Sequence, residues 1–359
     1  MSGVTEIVPV DPQHPDPGDL ERAGACIRAG QLVAFPTETV YGLGANALDA
    51  AAVAGIFAAK GRPAADPLIV HVADLDAVAG LVTVLPPIAR ALAARFWPGP
   101  LTLVLPHSPA VPSNVAAGLA TVGVRMPAHP VALALIRAAG TPIAAPSANL
   151  FTRPSPTRAA DVAADLGGRI AMILDAGPTA HGIESTVLDL AGDPPRVLRP
   201  GALTVEALRA VLPDLAAPGP AGPTDPAVAR RSPGTMLKHY SPRAEVLVLE
   251  GEDTARVRVA LADAVQAARA AGRRVGLLLA DEDLAALGAL PPGPDLVPLA
   301  LGPAADLPGQ AHRLFAALRD LDHAGVDLII TRAPAPAGLG LAVRDRLRRA
   351  ASGRVQRVE

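Results

Sequence analysis

Apolar positions in the first 210 residues follow two different periods. Short apolar runs bounded by proline, glycine or polar residues predict buried strands, and longer alanine-rich stretches predict helices. The predicted strands are residues 31–35, 67–72, 101–105, 121–125, 142–145, 171–174 and 185–190. The predicted helices are residues 47–60, 86–96, 130–139 and 158–166. Such a mixture predicts an α/β domain with a mixed, curved sheet.

The pattern changes in the segment 211–244. Six prolines lie between Leu212 and Gly234 among glycine, alanine and aspartate, with no apolar period, which predicts a linker of restricted flexibility. Beyond it, strands at 245–249, 274–279, 296–301 and 327–331 alternate with helices at 254–271, 307–322 and 339–350. Regular alternation predicts a smaller, Rossmann-like domain with a parallel sheet. We therefore expect domains at 1–210 and 245–359, joined by the linker.

Composition narrows the class of protein. Hydrophobic residues make up 50% of the chain and aromatic residues 2%, and the uncharged stretch 96–124 contains five prolines, so we expect no membrane span. No basic segment followed by an apolar run opens the chain, so we expect a cytoplasmic protein. Cys26 is the sole cysteine, which excludes an internal disulfide or a multi-cysteine zinc site. A net charge of −2 means that any nucleic-acid contact requires a local basic patch.

The scarcity of lysine directs attention to one short segment. Of 32 basic residues only Lys60 and Lys238 are lysines. Lys60-Gly61-Arg62-Pro63 ends a predicted helix, and two cations so close together suit a polyphosphate. It is not a Walker A loop, because no GK[ST] follows. Cations that merely cap a helix C-terminus are an equally good interpretation of these residues alone.

Other polar side chains cluster at predicted strand ends and turns, where ligands bind in α/β sheets. Residues 36–44 place hydroxyls, a carboxylate and a phenol before two glycines, although an ordinary turn fits equally well. A dinucleotide fingerprint is disfavoured because Asp66 precedes the next strand instead of closing it. His71, within a strand, is by itself best interpreted as structural. The remaining candidates are Arg125, Ser147, Asn149, Ser155, Ser185, Thr186 and Arg199.

These side chains suit phosphoryl or adenylyl transfer, which depends on positioning and charge neutralisation. The sequence has neither a Ser–His–Asp spacing nor paired zinc ligands, so a nucleophilic or zinc hydrolase is disfavoured. Longer motifs go further, and the chain resembles the YrdC-type threonylcarbamoyl-AMP synthases, in their long two-domain form. The resemblance rests on residues 35–44 (FPTETVYGLG), 60–63 (KGRP), 67–71 (PLIVH), 97–102 (WPGPLT), 124–127 (VRMP), 146–149 (PSAN), 184–186 (EST) and 232–242 (SPGTMLKHYSP).

This resemblance implies a reaction and roles for the candidate residues. The family condenses L-threonine, bicarbonate and ATP into threonylcarbamoyl-AMP and pyrophosphate, for the t6A modification of tRNA at position 37. Mg²⁺ is the implied metal, with no dedicated protein site predicted for it. The implied reaction-centre residues are Lys60, Arg62, Ser147 and Asn149. The implied threonine-binding residues are Thr39, His71, Arg125, Ser185 and Thr186. The implied nucleotide-binding residues are Lys60, Arg62, Asp66, Thr121, Ser147, Asn149, Ser155 and Arg199. The implied lid residues are Lys238, His239 and Tyr240.

One position departs from the family pattern, and two other functions need weighing. Asp66 stands where the family pattern leads us to expect Asn or His, which puts a nucleotide contact there in doubt.

The expected partners are the downstream threonylcarbamoyl transferase complex and, weakly, tRNA. A non-catalytic RNA-binding or ribosome-maturation module on the same fold is disfavoured by the charge and the few aromatic residues. A carbamoyltransferase of the hydrogenase-maturation type would need cysteine-rich zinc segments that one cysteine cannot build.

Overall fold

The computed structural model describes residues 4–216, 218, 230–234, 239–288 and 293–359. The chain forms two compact units. The first comprises Met1–Phe151 with Ser155–Thr235, and the second comprises Thr152–Pro154 with Met236–Glu359. Three residues from the N-terminal half of the sequence therefore belong to the C-terminal unit. Among the described residues, no helix is long and apolar enough to cross a membrane.

The first unit is built on a ten-stranded mixed sheet. Its strands are β1 (Glu6–Pro9), β2 (Val33–Phe35), β3 (Gly42–Asn46), β4 (Ile69–His71), β5 (Leu101–Pro106), β6 (Thr121–Arg125), β7 (Ile143–Ala144), β8 (Met172–Asp175), β9 (Thr186–Asp189) and β10 (Arg196–Arg199). Its helices are α1 (Pro17–Arg28), α2 (Ala50–Lys60), α3 (Pro87–Phe96), α4 (Pro130–Ala139), α5 (Ala159–Leu166) and α6 (Val205–Leu208), with a 3-10 turn at Asp76–Gly80. The strand order is β1-β8-β2-β3-β7-β4-β6-β5-β9-β10.

Helices α1 and α4 cover part of this sheet. Their apolar faces join strands β2 and β8 in one buried core that includes Ile27, Phe35, Leu135 and Leu174. Helix α1 begins where the Asp16 side chain accepts hydrogen bonds from the first-turn amides and proline occupies the next position. Helix α1 is absent from the sequence predictions, although Asp16 and Pro17 are both helix-start signals.

Strand β3 shows where sequence reasoning misses an element. The sequence around Gly42 and Gly44 predicts a ligand loop or turn, but Gly42–Asn46 pairs with β2 and β7. A Cβ at Gly44 would lie 2.8 Å from the Ile143 side chain and 2.9 Å from the Phe35 ring. Glycine is therefore needed because neighbouring side chains crowd the strand.

The second unit is a five-stranded parallel sheet with helices, in the order β13-β12-β14-β11-β15. Its strands are β11 (Glu245–Glu250), β12 (Val275–Leu279), β13 (Leu296–Ala300), β14 (Leu328–Arg332) and β15 (Val355–Arg357). Its helices are α7 (Thr254–Ala270), α8 (Asp281–Ala286), α9 (Leu307–His323) and α10 (Leu339–Ala350). The predicted fold class, a mixed-sheet α/β domain with a smaller parallel α/β domain, is confirmed. The domain limits at 210 and 244 stay predictions.

Helix α9 holds the short segment that the second unit takes from the N-terminal half of the chain. The buried Arg319 guanidinium donates through Nε and Nη2 to the carbonyl of Pro154. One helical turn further, Asp322 pairs with Arg153 at 2.8 Å and accepts from the amides of Arg243 and Ala244. The linker end and residues 152–154 are thus fastened to the same helix.

Candidate active site

Lys60 is the last residue of helix α2, and its side chain is buried. The helix is capped by Gly61, whose φ of 63° lies in the left-handed region. The Lys60 ammonium instead donates to the carbonyls of Ser147 and Asn149, and lies 3.4 Å from Asn149 Oδ1. Besides lying in the last turn of its helix, Lys60 therefore bonds to a different turn of the protein, and its role in the reaction stays a prediction.

Arg62 and Asp66 form a buried ion pair directly after this helix. Arg62 Nη2 lies 2.9 Å from Asp66 Oδ2 and also donates to the Pro67 carbonyl at 2.9 Å. Burial raises the pKa of the Asp66 carboxyl, and the nearby charges of Arg62, Lys60 and Arg199 act in the opposite direction. Asp66 thus sits among three cations, in the electrostatic environment that suits a phosphate.

The turn at residues 146–149 follows strand β7 and is tightly bonded. Ser147 Oγ donates to Asn149 Oδ1 at 2.5 Å, and Asn149 Nδ2 donates to the Leu150 carbonyl. A bridge between Ser147 and Gly42 fastens this turn to strand β3. The turn therefore brings two carbonyls and the Asn149 side chain to Lys60, and the Ser147 hydroxyl is bonded to that side chain.

A second group of hydroxyls surrounds Arg199, at the end of strand β10. Arg199 Nη2 donates to the carbonyl and to Oγ of Ser185, at 3.0 and 3.2 Å, and Ser185 Oγ lies 2.8 Å from Thr102 Oγ1. Arg199 Nη1 donates to the Pro233 carbonyl at 3.1 Å. Arg199 thus holds the Ser185 hydroxyl, and its charge also acts to lower the pKa of Asp66.

Ser155 and Thr186 use their hydroxyls on protein groups. Ser155 Oγ donates to Glu184 Oε1 at 2.5 Å and is fully buried. Thr186 Oγ1 donates to the Leu203 carbonyl and accepts from the Leu203 amide. The Thr186 hydroxyl is therefore engaged with the turn after β10, and not with the hydroxyls of Thr102 and Ser185.

His71 and Arg125 lie side by side because β4 and β6 pair in parallel register. Arg125 Nη2 forms an ion pair with Glu38 Oε1 at 2.6 Å, and Nε donates to the Gly99 carbonyl. Burial, reinforced by the charge of Arg125, lowers the pKa of His71 to about 3, so the ring is neutral at pH 7. His71 Nδ1 is buried, and the described residues give it no hydrogen-bond partner.

Two further predicted site residues, Thr39 and Thr121, differ in their surroundings. Thr39 is fully buried and lies 2.8 Å, oxygen to oxygen, from the Thr37 hydroxyl. Thr121 begins strand β6, four residues before Arg125, so the two Cα atoms lie about 13 Å apart. Thr121 therefore belongs to the far end of the strand that carries Arg125.

The predicted lid residues fall in the second unit, where Lys238 lies outside the described residues. The Tyr240 ring packs 5.2 Å from the Phe315 ring, and the Arg346 guanidinium lies 5.3 Å from its centroid. The amide of His239 donates to the Arg349 carbonyl. These contacts attach the linker end to the parallel-sheet unit, and the lid role stays a prediction.

Three polar residues for which the sequence predicts no role contact the candidates. Glu38 pairs with Arg125, Glu184 accepts from Ser155, and Thr102 contacts Ser185. Glu38 could have been suspected, since a carboxylate in a segment predicted to sit beside buried strands requires a partner. Its partner Arg125 is 87 residues away, which no local pattern indicates.

Together these contacts place cations, neutral hydrogen-bonding groups and hydroxyls inside one α/β unit. Lys60, Arg62 and Arg199 offer positive charge, while Arg125 and His71 form a second polar cluster. Such an arrangement binds and orients anionic reactants. The fold and these clusters define a two-domain α/β protein with buried cationic and polar clusters in its first unit.

Comparison with known proteins identifies the family. A family model described as "Telomere recombination", covering Sua5, YciO and YrdC proteins, matches residues 25–201. A second, the threonylcarbamoyl-AMP synthase C-terminal domain, matches residues 203–352. The threonylcarbamoyl-AMP synthases of Bacillus subtilis and Pyrococcus abyssi are 47% and 46% identical, over 94% of this chain and 94% and 95% of theirs. The chain belongs to the threonylcarbamoyl-AMP synthase family.

A solved structure agrees over the whole chain. Pyrococcus abyssi Sua5 in complex with L-threonine superposes with a TM-score of 0.90 at 44% identity, covering 99% of this chain and 100% of that one. The resemblance to long, two-domain synthases inferred from the motifs is therefore confirmed.

Proposed function

We propose that this chain is an L-threonylcarbamoyladenylate synthase, a nucleotidyltransferase that condenses L-threonine, bicarbonate or CO2, and ATP and releases pyrophosphate. Its product would serve the t6A modification of tRNA at position 37. The observation that carries the proposal is the group of three cations, Lys60, Arg62 and Arg199, around the buried carboxylate of Asp66. A protein collects such charge in its interior to hold anionic ligands.

Threonine is expected to bind at the second cluster. Arg125 would hold its carboxylate, and neutral His71 and Thr39 would hydrogen-bond its polar atoms. Burial keeps His71 uncharged, so it can accept or donate a hydrogen bond to a hydroxyl without competing for the carboxylate. The Ser185 hydroxyl, held by Arg199 and Thr102, would complete this side of the site. Thr186 would act by holding the neighbouring turn, because its hydroxyl is bound to Leu203.

The nucleotide is expected to lie along Lys60, Arg62, Ser147 and Asn149, with Thr121, Ser155 and Arg199 as further contacts. The threonine amine captures CO2 to form a carbamate, whose oxygen attacks the α-phosphorus in line and displaces pyrophosphate. Lys60 and Arg62 would stabilise the negative charge on the transferring and leaving phosphates. For this, Arg62 must exchange part of its contact with Asp66 for a phosphate oxygen.

Magnesium is expected to come with the nucleotide. Among the described residues, no three His, Cys, Asp or Glu side chains lie close enough to hold a metal ion. Triphosphate oxygens and water supply the octahedral ligands that Mg²⁺ prefers, so it does not need a protein cage.

A coupled assay tests the proposed reaction. Pyrophosphate release from ATP and bicarbonate is measured with and without L-threonine, with product identified by mass spectrometry. The expected result is release that depends on threonine, together with a threonylcarbamoyl-adenylate of matching mass. Turnover without threonine, or none under any condition, would contradict the proposal.

The cellular setting follows from the proposed reaction. A labile mixed anhydride must reach an acceptor quickly, so we expect a downstream threonylcarbamoyl transferase complex and a cytoplasmic location. Weak contact with tRNA is a further expectation, measured by the salt dependence of tRNA binding. The linker around Lys238, His239 and Tyr240 is expected to act as a lid, and the C-terminal unit to anchor it.

A further inference from the structure

Glu38 lies in the loop between β2 and β3, and its side chain is 8% exposed. One carboxylate oxygen, Oε1, accepts from Arg125 Nη2 at 2.6 Å. The other oxygen, Oε2, is buried and has no hydrogen-bond partner among the described residues. The backbone carbonyl of Glu38 accepts from the His181 amide at 2.8 Å, which fixes the loop.

A buried, unpartnered carboxylate oxygen is costly, because it has lost water without gaining a donor. Two neighbouring groups also have unused hydrogen-bonding capacity. His71 Nδ1 is buried and has no hydrogen-bond partner among the described residues. Arg125 donates through Nε and Nη2, and within the described part of the chain its Nη1 makes no hydrogen bond. Glu38 Oε2, His71 Nδ1 and Arg125 Nη1 are therefore three polar atoms, grouped around one ion pair, that could each bind a polar ligand atom.

We infer that Glu38 and Arg125 together recognise the α-amino-acid end of the substrate. This rests on the proposed function and assigns Glu38 as a specificity-determining residue. Arg125 Nη1 takes the α-carboxylate, and Glu38 Oε2 accepts an N–H bond from the α-amino group. In an amino acid the α-amino and α-carboxylate groups are attached to the same carbon atom. The ion pair places a negative and a positive group side by side, so its charges are complementary to those of the ligand.

The alternative is that Glu38 serves only to hold Arg125. In that case its loss would weaken every ligand that has a carboxylate, whether or not the ligand has an amine. If Glu38 binds the amine, its loss would weaken the binding of ligands that carry an amine more than the binding of ligands that lack one. This difference would come in addition to any effect through Arg125. The two roles therefore predict different ratios between the affinity for threonine and the affinity for a ligand without the amine. The affinity for threonine alone does not distinguish them.

The test is calorimetric binding of L-threonine and of (R)-3-hydroxybutanoate, which lacks only the α-amino group. Wild-type protein should bind threonine roughly 10- to 100-fold more tightly than (R)-3-hydroxybutanoate, which is the range for a hydrogen bond to a charged group. In Glu38→Gln the ratio should fall to within about threefold, since a neutral amide replaces the charged acceptor. Asp161→Asn is the matched control, because Asp161 is also a buried carboxylate paired with arginine, and it should keep the wild-type ratio.

A wild-type ratio retained in Glu38→Gln would overturn the inference, even if both ligands bind more weakly. Equal binding of both ligands by the wild-type protein would overturn it without recourse to any variant, so it can be refuted even if Glu38→Gln does not fold. Wild-type protein that bound neither ligand, or that bound threonine but released no pyrophosphate, would count against the proposed function instead.

Discussion

His71 provides a stability prediction that the structure makes quantitative. Its pKa in the folded protein is lowered to about 3 from the ordinary value of 6.5, first by burial and then by the charge of Arg125. Between these two values the unfolded chain binds a proton that the folded chain does not. Acid therefore favours unfolding, and the stability of the first unit should fall as the pH decreases from 6.5 towards 3.

The magnitude follows from the two pKa values. At pH 8 the histidine is neutral in both states and contributes nothing to the pH dependence. At pH 5 the unfolded state is favoured by about 2 kcal/mol relative to pH 8. The matched variant is His71→Gln, which cannot titrate, so it should lack this loss whatever its own stability.

Trp97 makes the assay specific for the first unit, because it is the sole tryptophan and is buried there. Urea unfolding followed by its fluorescence at pH 8 and pH 5 gives the loss of stability for each variant. Wild-type protein should lose about 2 kcal/mol more than His71→Gln. The exposed His14→Gln is the control and should follow the wild type. Equal losses in wild type and His71→Gln would show that His71 is not held neutral.

Three other substitutions test the cationic cluster. Lys60→Ala should reduce pyrophosphate release by at least about 100-fold, because it removes a preorganised charge, while exposed Arg28→Ala should not; near-normal turnover would restrict Lys60 to holding the turn. Asp66→Asn should lower the ATP KM by about threefold to tenfold by removing a negative charge beside Arg62, and an increased KM would show that Asp66 helps to bind nucleotide. Gly61→Ala should cost about 1 kcal/mol in urea unfolding, because φ is 63° with open space around the Cβ, and no cost would mean that the turn relaxes.

The local part of the fold was predictable from sequence. Strands β5 and β6 and helices α2 and α4 lie close to their predicted limits, because each has a clear apolar period or cap. Strand β3 was not predicted, since its glycines resemble a turn unless the side chains that crowd it are known. Strand β10 had no predicted counterpart, and it ends at the site residue Arg199.

Parts of the candidate site were predictable for a different reason. Lys60 and Arg62 stand out because their charges are adjacent in sequence and lysine is rare. The long-range pairings were not predictable, such as Glu38 with Arg125 or the Lys60 ammonium with the turn at 147–149. They depend on strand register over separations of more than 80 residues, which local patterns do not encode.

The position of the Lys60 ammonium also bears on side reactions with the proposed substrates. An enzyme that works with bicarbonate and CO2 exposes its own amines to carbamylation, which requires a nitrogen lone pair. The Lys60 nitrogen donates to two backbone carbonyls and faces Asn149 Oδ1, so as an ammonium it presents N–H bonds and no lone pair. The contacts that hold the turn thereby also protect this lysine from modification by the CO2 that the enzyme is proposed to use.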